Sequence, residues 1–314
     1  MRSNLDDMLG VKYPIIMAPM FLVTNTKMMI EALNNGIAAC IPALNFRTDL
    51  EFRNALEKIR NETDSTALGV NLIVNKSNIK LNEQLKSCVE LKVNFIITSL
   101  GNPKFVIEKC KKNNIKVFCD VIDKDYAKKV ENLGADGIIA VNNKAGGHAG
   151  NYHPNELIPM LRNHCNIPVI SAGGIGDKSG VEEMLDLGAA GVSIGSPFIA
   201  CLEADITNEY KEACVKYGKS DIILTTKLTG TPCTVINTDY VKHIGTKQNW
   251  IEKLLTKNKK LKKWIKTIKF IRSMKVVKTA AFNTTYKTVW CAGPSIEYTK
   301  QILPVKDIIR RLVL

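Results

Sequence analysis

An α/β fold is the class that the sequence predicts, and two observations predict it. Short apolar runs rich in β-branched residues recur along the first two thirds of the chain, and stretches with helical periodicity separate them. Strands that alternate with helices pair in parallel through right-handed crossovers. Eight runs are present, and eight such units close naturally into a (β/α)8 TIM barrel. The predicted strands are Pro14–Ala18, Ile37–Ile41, Leu68–Ile73, Phe95–Thr98, Lys116–Val121, Gly137–Val141, Pro168–Ala172 and Gly191–Gly195.

The segments between these runs carry apolar residues three and four positions apart, which is typical of amphipathic helices. Small-residue turns of the kind that end helices, such as Asn35-Gly36 and Leu133-Gly134, precede several of the strands. The helices that this spacing predicts include Asp49–Asn61, Pro103–Asn113, Lys124–Leu133 and Gly180–Leu187.

The alternation of strands and helices ends at Ala204, and this change predicts two domains. Residues 205–286 lack the alternation, and we expect them to form a mostly helical C-terminal lid domain inserted after strand 8. The segment from Trp290 to Ser295, followed by Val305–Leu312, is predicted to return to the barrel. The barrel domain is therefore expected to comprise residues 1–204 and 287–314.

The composition is that of a soluble globular protein, with 45% hydrophobic and 24% charged residues. Met1–Lys12 lacks an apolar secretory core, and the longest charge-free apolar stretch, Leu187–Leu202, is shorter than a membrane span. We therefore expect a cytoplasmic protein. The nine cysteines form no Cys-x-x-Cys pair and no cluster at metal-ligand spacing, which predicts small buried side chains rather than a metal site or a disulfide framework.

The net charge of +14 is concentrated in one segment. Eleven Lys or Arg residues and no acidic residue lie from Lys253 to Lys278. Leu261, Ile265 and Ile268 recur there at helical spacing, which predicts a basic amphipathic helix. A solvated outer face is the favoured interpretation, and the alternative is a docking face for an acidic carrier protein, a nucleic acid or a membrane surface. The lysines do not alternate with aromatic residues, which disfavours nucleic acid.

The candidate catalytic residue follows the sixth predicted strand. In a barrel of this kind the chemistry lies on the loops after the carboxyl ends of the strands. The loop Lys144–Gly150 reads Lys-Ala-Gly-Gly-His-Ala-Gly. Its glycines lack the Cβ atoms that would keep a flat ligand away, so His148 is predicted to face a cofactor. The alternative is a simple glycine turn with His148 exposed.

The loops after the seventh and eighth strands predict an anion site. Ser171–Asp177 contains three glycines, and Ile194–Phe198 contains Gly195 followed by Ser196. In barrels these two loops commonly bind phosphate, because backbone amides converge there on the anion. The alternative is two tight turns that bind nothing.

Two competing motifs are disfavoured. Gly191–Gly195 matches the Gly-x-Ser-x-Gly pattern of hydrolases, yet Ser193 lies inside a predicted strand rather than on a turn. Counted from Gly174 and Gly176, the third position of a dinucleotide-binding fingerprint is Ser179 instead of glycine. Neither a serine hydrolase nor a Rossmann site is expected.

Six motifs occur in a characteristic order: Tyr13–Met20, Gly69–Leu72, Ala145–Gly150, Ser171–Ile175, Gly188–Val192 and Ala292-Gly293. Together they resemble the flavin-dependent family that contains the nitronate monooxygenases and the FMN-type enoyl-acyl carrier protein reductases. The resemblance covers most of the chain. It implies FMN in the mouth of the barrel, with the substrate between the flavin and the lid.

The resemblance also implies roles for individual residues. Ala18 and Met20 would lie against the isoalloxazine ring, Asn71 would hydrogen-bond to it, and the residues after strands seven and eight would hold the phosphate. His148 would be the acid/base, because an imidazole gains and loses a proton near neutral pH. The predicted cofactor-binding residues are Ala18, Pro19, Met20, Asn71, Asp120, Ala145, Gly146, Ala172, Gly173, Gly174, Gly195 and Ser196.

The activity that the resemblance implies is oxidation of an alkyl nitronate, with FMN as cofactor and molecular oxygen as co-substrate. The alternative enzyme is an enoyl-acyl carrier protein reductase, which would need NAD(P)H and would dock an acidic carrier protein on Lys253–Lys278. The alternative that is not an enzyme is a binding or regulatory protein that keeps the barrel fold. Family members often carry an acid where this chain has Lys144, and the lysine would make the cavity mouth more positive, which suits an anionic substrate. The expected substrate is a small anionic or acyl compound. A homodimer is the assembly considered, and the sequence leaves the oligomeric state open.

Overall fold

Eight parallel strands close into a cylinder in the computed structural model, which describes residues 4–226, 232–247 and 289–314. Each strand pairs with the next along the chain, and the first pairs with the eighth through Ile16 and Ser193. The predicted (β/α)8 barrel is confirmed, and every predicted strand matches to within one residue at each end. The strands are β1 (Ile15–Met17), β2 (Ala38–Pro42), β3 (Leu68–Ile73), β4 (Phe95–Ser99), β5 (Lys116–Val121), β6 (Gly137–Val141), β7 (Val169–Ala172) and β8 (Gly191–Ile194).

Helices cover the outside of the cylinder, and their ends follow local sequence signals. Thr48 caps one helix in a capping box with Glu51, so that this helix begins at Asp49 as predicted. The other three predicted helices match to within two residues at each end. The helices up to β8 are α1 (Leu5–Leu9), α2 (Thr26–Asn34), α3 (Asp49–Asn61), α4 (Leu81–Glu90), α5 (Lys104–Lys111), α6 (Lys124–Asn132), α7 (Pro154–His164) and α8 (Lys178–Asp186).

The interior of the barrel is a packed core. The strands are buried on both faces, which explains why their sequences are continuous apolar runs rather than alternating patterns. The rings of Phe95 and Phe118 are part of this core, and their centroids lie 5.6 Å apart. Gly69 makes room for the first ring, because a Cβ atom there would lie 2.2 Å from Cζ of Phe95. Eight of the nine cysteines are buried, which confirms their predicted packing role.

The chain after β8 adds a hairpin and three helices among the described residues. The antiparallel strands β9 and β10 form a separate two-stranded sheet. The last helix packs against α2 and α8 and fills the remaining gap in the ring of outer helices. These elements are α9 (Asn208–Lys216), β9 (Ile222–Thr225), β10 (Cys233–Ile236), α10 (Asp239–Ile244) and α11 (Val305–Val313).

Part of the predicted lid falls outside the described residues. The described parts of residues 205–286 form α9, the hairpin and α10, so strands accompany the expected helices. The basic segment Lys253–Lys278 lies entirely outside the described residues. The domain boundaries therefore stay a prediction. Within the described ranges, each helix is too short or too polar to cross a lipid bilayer.

We predict that Gly69→Ala destabilises the barrel. The added methyl group would overlap the Phe95 ring, and overpacking of a rigid core costs about 1–3 kcal/mol. The matched control is Gly218→Ala, since a Cβ atom at Gly218 would meet nothing within 4 Å. Urea unfolding should show a lower midpoint for Gly69→Ala and an unchanged midpoint for the control. Equal midpoints for Gly69→Ala and the natural protein would contradict this packing.

Candidate active site

The loops after the eight strands surround a cavity of about 700 Å³, a size that suits a bound cofactor or small molecule. Every residue that the sequence predicts for the site lines this cavity. The structure thus brings together residues from the loop after β1 to the loop after β8, while the role of each remains a prediction. They are Ala18, Pro19, Met20, Asn71, Asp120, Ala145, Gly146, His148, Ala172, Gly173, Gly174, Gly195 and Ser196.

His148 sits in the turn after β6, and the hairpin holds that turn in place. Gly147 has a positive φ of 75°, which lets the chain reverse direction just before the histidine. From β10, the Thr234 amide donates to the Gly147 carbonyl (2.8 Å) and its hydroxyl donates to the Ala145 carbonyl (2.9 Å). Burial lowers the pKa of His148, so its imidazole is neutral and able to accept a proton near neutral pH.

A pair of glycines after β7 forms a cradle that no other residue would fit. Gly173 and Gly174 have φ values of 117° and 82°. A Cβ atom on Gly173 would lie 2.4 Å from Oδ1 of Asn142, and one on Gly174 would lie 2.7 Å from Cδ of Lys144. The glycines are therefore required for the close packing of the loops after β6 and β7. Both also line the cavity, where a backbone without side chains suits close approach of an anion such as a phosphate.

Asn142, which sequence reasoning missed, joins the loops after β6 and β7. Its Nδ2 donates to the Gly173 carbonyl (3.0 Å), and its Oδ1 accepts from the Lys144 amide (2.8 Å). Asn142 is 1% exposed, so one buried amide fixes both the glycine cradle and the start of the His148 loop.

Ser196, after β8, contacts the segment that returns to the barrel. Its Oγ accepts a hydrogen bond from the Gly293 amide at 2.8 Å, while its own hydroxyl hydrogen is left to donate. Gly146 fits between these two partners, because a Cβ atom there would lie 2.9 Å from the Ser196 oxygen. The loops after β6 and β8 and the return segment thus meet at one point of the cavity wall.

A row of hydrogen-bonded polar side chains lies across the carboxyl ends of β3, β4 and β5. Nδ2 of Asn71 donates to the Ile97 carbonyl (3.1 Å) and to Oγ of Ser99 (2.8 Å), so both amide hydrogens are used. Ser99 in turn donates to Oδ2 of Asp120 at 2.5 Å. The direction of these bonds leaves Oδ1 of Asn71 as an acceptor for a ligand. Ser99 was not among the predicted site residues.

Asp120 is the acidic residue at the end of this row of hydrogen-bonded side chains. Burial raises its pKa from 3.8 to about 6, and the hydrogen bond from Ser99 only partly opposes the shift. Its titratable neighbours are Cys40, Cys119 and Tyr126. Burial raises the pKa of all three, to about 12 for Cys119 and Tyr126, so they are neutral where Asp120 titrates. A carboxyl group kept in such an environment is typical of functional sites.

The Gly-x-Ser-x-Gly pattern has a packing explanation. Ser193 lies within β8, paired with Ile16 of β1, rather than on the sharp turn that a hydrolase nucleophile needs. Gly191 is required because a Cβ atom there would lie 2.6 Å from Cδ2 of Leu5. This geometry agrees with the interpretation of the motif as a barrel strand.

We predict that Asp120→Asn removes a pH dependence from the stability of the FMN-free protein. Between pH 3.8 and about 6 the folded chain keeps a proton on Asp120 that the unfolded chain has lost, so stability falls as pH rises through this range. The shift corresponds to at most about 3 kcal/mol. Urea unfolding at pH 4 to 7 should therefore show the variant gaining stability relative to the natural protein.

The matched control for this experiment is Asp64→Asn, because Asp64 is exposed to solvent. Its stability difference from the natural protein should be the same at each pH. A difference for Asp120→Asn that also stays constant with pH would mean that the carboxyl group is not desolvated.

Known structures share this architecture. FabK from Thermotoga maritima superposes with a TM-score of 0.84 and 27% sequence identity, covering 99% of this chain and 95% of that one. A nitroalkane oxidase from Streptomyces ansochromogenes superposes with a TM-score of 0.81 over 99% of this chain and 96% of that one. At 19% identity, the second likeness concerns the fold alone.

Curated relatives and a family model cover the chain as well. A probable nitronate monooxygenase of Staphylococcus aureus (strain JH9) is 27% identical over 288 residues, covering 78% of this chain and 81% of that protein. The (3aS,4S,5R,7aS)-5-hydroxy-7a-methyl-1-oxo-octahydro-1H-indene-4-carboxyl-CoA dehydrogenase of Rhodococcus jostii (strain RHA1) is 28% identical over 244 residues, covering 78% and 68%. The nitronate monooxygenase family model matches residues 2–314. The chain therefore belongs to the nitronate monooxygenase family, whose members are oxidoreductases that typically use a flavin.

Proposed function

We propose that this oxidoreductase oxidises small alkyl nitronates with molecular oxygen, using FMN as cofactor and His148 as acid/base. The observation that carries the proposal is the placement of His148 on the same cavity as the glycine cradle of Gly173 and Gly174. Membership of the family over the whole chain supports it. Oxygen as co-substrate, and a reaction that needs no NAD(P)H, are part of the proposal.

The residues around the cavity fit FMN in several respects. The glycine cradle after β7, together with Gly195 and Ser196, would hold the phosphate through backbone amides and one hydroxyl. Gly195 also lies close to Ala18 and Met20, since a Cβ atom at Gly195 would lie 3.5 Å from Cγ of Met20 and 3.6 Å from Cβ of Ala18. FMN, once bound, would supply the redox chemistry.

The chain's own polar groups would position the ring and the substrate. Oδ1 of Asn71 would accept a hydrogen bond from an N–H group of the ring, since both amide hydrogens of Asn71 are already used. A neutral His148 imidazole would take up a proton or hydrogen-bond to the nitro oxygens of the substrate. Lys144 also lines the cavity, and its positive charge would attract a small anion.

A second candidate is an enoyl-acyl carrier protein reductase. The likeness to FabK from Thermotoga maritima, at 27% identity and a TM-score of 0.84, favours it specifically. Under this alternative NAD(P)H would be the reductant and the substrate would be an unsaturated acyl thioester. The basic segment Lys253–Lys278 would then bind an acidic carrier protein.

The first test is oxygen uptake by the FMN-loaded protein with a small alkyl nitronate and no NAD(P)H. We expect uptake, and we expect His148→Ala to slow it by about 10²- to 10⁴-fold while the flavin absorbance stays with the protein. His164→Ala is the matched control, because His164 is exposed at the end of α7. Unchanged uptake in His148→Ala would remove this residue from the mechanism.

The second test separates the two candidate reactions. The FMN-loaded protein is mixed with NADH in the absence of oxygen, and the flavin absorbance is followed. The proposed monooxygenase predicts that the absorbance persists on the timescale of turnover with nitronate. Rapid bleaching, together with no oxygen uptake in the first test, would favour the enoyl reductase.

A further inference from the structure

Two cysteines meet on the cavity wall formed by the hairpin and the return segment. Val235 of β10 pairs with Cys291 in an isolated antiparallel bridge, and the Ile236 amide donates to the Trp290 carbonyl at 2.9 Å. In a strand, residues two positions apart face the same side, so Cys233 lies on the same side as Val235 and its partner. Cys233 and Cys291 are therefore diagonal neighbours across this pairing.

The two cysteines pack together on the cavity wall. Cys291 packs against the small apolar cluster that Cys233 forms with Val235 and Val289. Both line the 700 Å³ cavity, whereas the other seven cysteines do not. A small molecule that enters the cavity can therefore reach this pair but not the cysteines packed in the core.

The two sulfur atoms are chemically different. Interaction with the Cys291 thiol lowers the pKa of Cys233, although burial opposes this. Interaction with Cys233, together with burial, raises the pKa of Cys291. In contrast, burial alone raises the pKa of Cys214, which lies in the core. The lowered pKa favours Cys233 as the first of the two to react, although its thiol also donates a hydrogen bond to the Thr225 carbonyl at 3.5 Å. Cys291 is placed to react with it afterwards.

We propose that Cys233 and Cys291 are a redox-active dithiol, which hydrogen peroxide entering the cavity oxidises to a disulfide. The Cys233 sulfur attacks one peroxide oxygen, the O–O bond breaks, and the departing oxygen leaves as water after taking up a proton. Cys233 becomes a sulfenic acid. The Cys291 sulfur then attacks it, the S–O bond breaks and a second water leaves, so hydrogen peroxide is reduced by two electrons and the thiols lose two hydrogen atoms.

The disulfide would constrain the cavity wall beside the turn that carries His148. Thr234, the residue after Cys233, makes the hydrogen bonds that hold Ala145 and Gly147. A bond between the cysteines would tie β10 to the return segment, and Gly293 of that segment contacts Ser196. The dithiol goes beyond the proposed function, because added peroxide tests it whether or not the protein oxidises nitronates.

The test uses the natural, FMN-loaded protein treated with graded hydrogen peroxide, then acid quenching, alkylation and mass spectrometry. We expect two fewer alkyl groups on the peroxide-treated protein than on the untreated protein, and a cross-linked peptide that contains Cys233 and Cys291, both reversed by dithiothreitol. Cys214→Ser is the matched control and should form the same cross-link. Cys291→Ser should form none and should yield a sulfenic acid at Cys233 that dimedone traps.

Two results would overturn the proposal. One is that both cysteines stay fully open to alkylation after peroxide has oxidised methionines elsewhere in the protein. The other is that oxygen atoms are added to either cysteine of the natural protein without a cross-link between them. Both results come from the natural sequence, so a variant that fails to fold cannot obscure the answer.

Discussion

The parallel pairing of β1 with β8 is the constraint on which the rest of the structure depends. It closes the sheet, and closure brings the loop after the first strand beside the loops after the seventh and eighth. The Ala18 amide continues this pairing beyond β1 by donating to the Ile194 carbonyl at 2.8 Å. Without closure, Ala18 and Met20 would lie at the far edge of an open sheet from the loops that carry Gly173 and Gly195.

The polar groups at the carboxyl ends of the strands orient the site for a ligand rather than stabilise the fold. Asp120 is desolvated with one neutral hydrogen bond to oppose the cost, and an apolar residue would make a more stable barrel. Asn71 and Asn142 donate their amide hydrogens to backbone carbonyls and to Ser99, which orients their oxygens. Such an arrangement is what a preorganised site requires, because the groups are held in position before the ligand arrives.

The sequence was sufficient to predict the barrel, because strands buried on both faces read as uninterrupted apolar runs and short turns separate them from the helices. It also pointed to His148 and to Gly173 and Gly174, whose loops follow strands directly. Asn142 and Thr234 were missed for a physical reason. Each acts on backbone or side chains far along the chain, as when Thr234 binds Gly147, 87 positions away. Single polar residues in strands and loops carry no periodic signal that would reveal this.

The hairpin was missed for a related reason, since β9 and β10 contain four residues each and lie in a segment without the βα rhythm. Its contribution to the site nevertheless differs in kind from that of the barrel. All predicted cofactor-binding residues lie on barrel strands and the loops that follow them, whereas Cys233, Val289 and Cys291 reach the cavity from the hairpin and the return segment. Thr234 and Gly293 tie this second wall to the loops that carry Ala145 and Ser196. The barrel therefore supplies the part of the cavity that suits a cofactor, and the chain after β8 supplies a part that could select the substrate or, as proposed above, react with an oxidant.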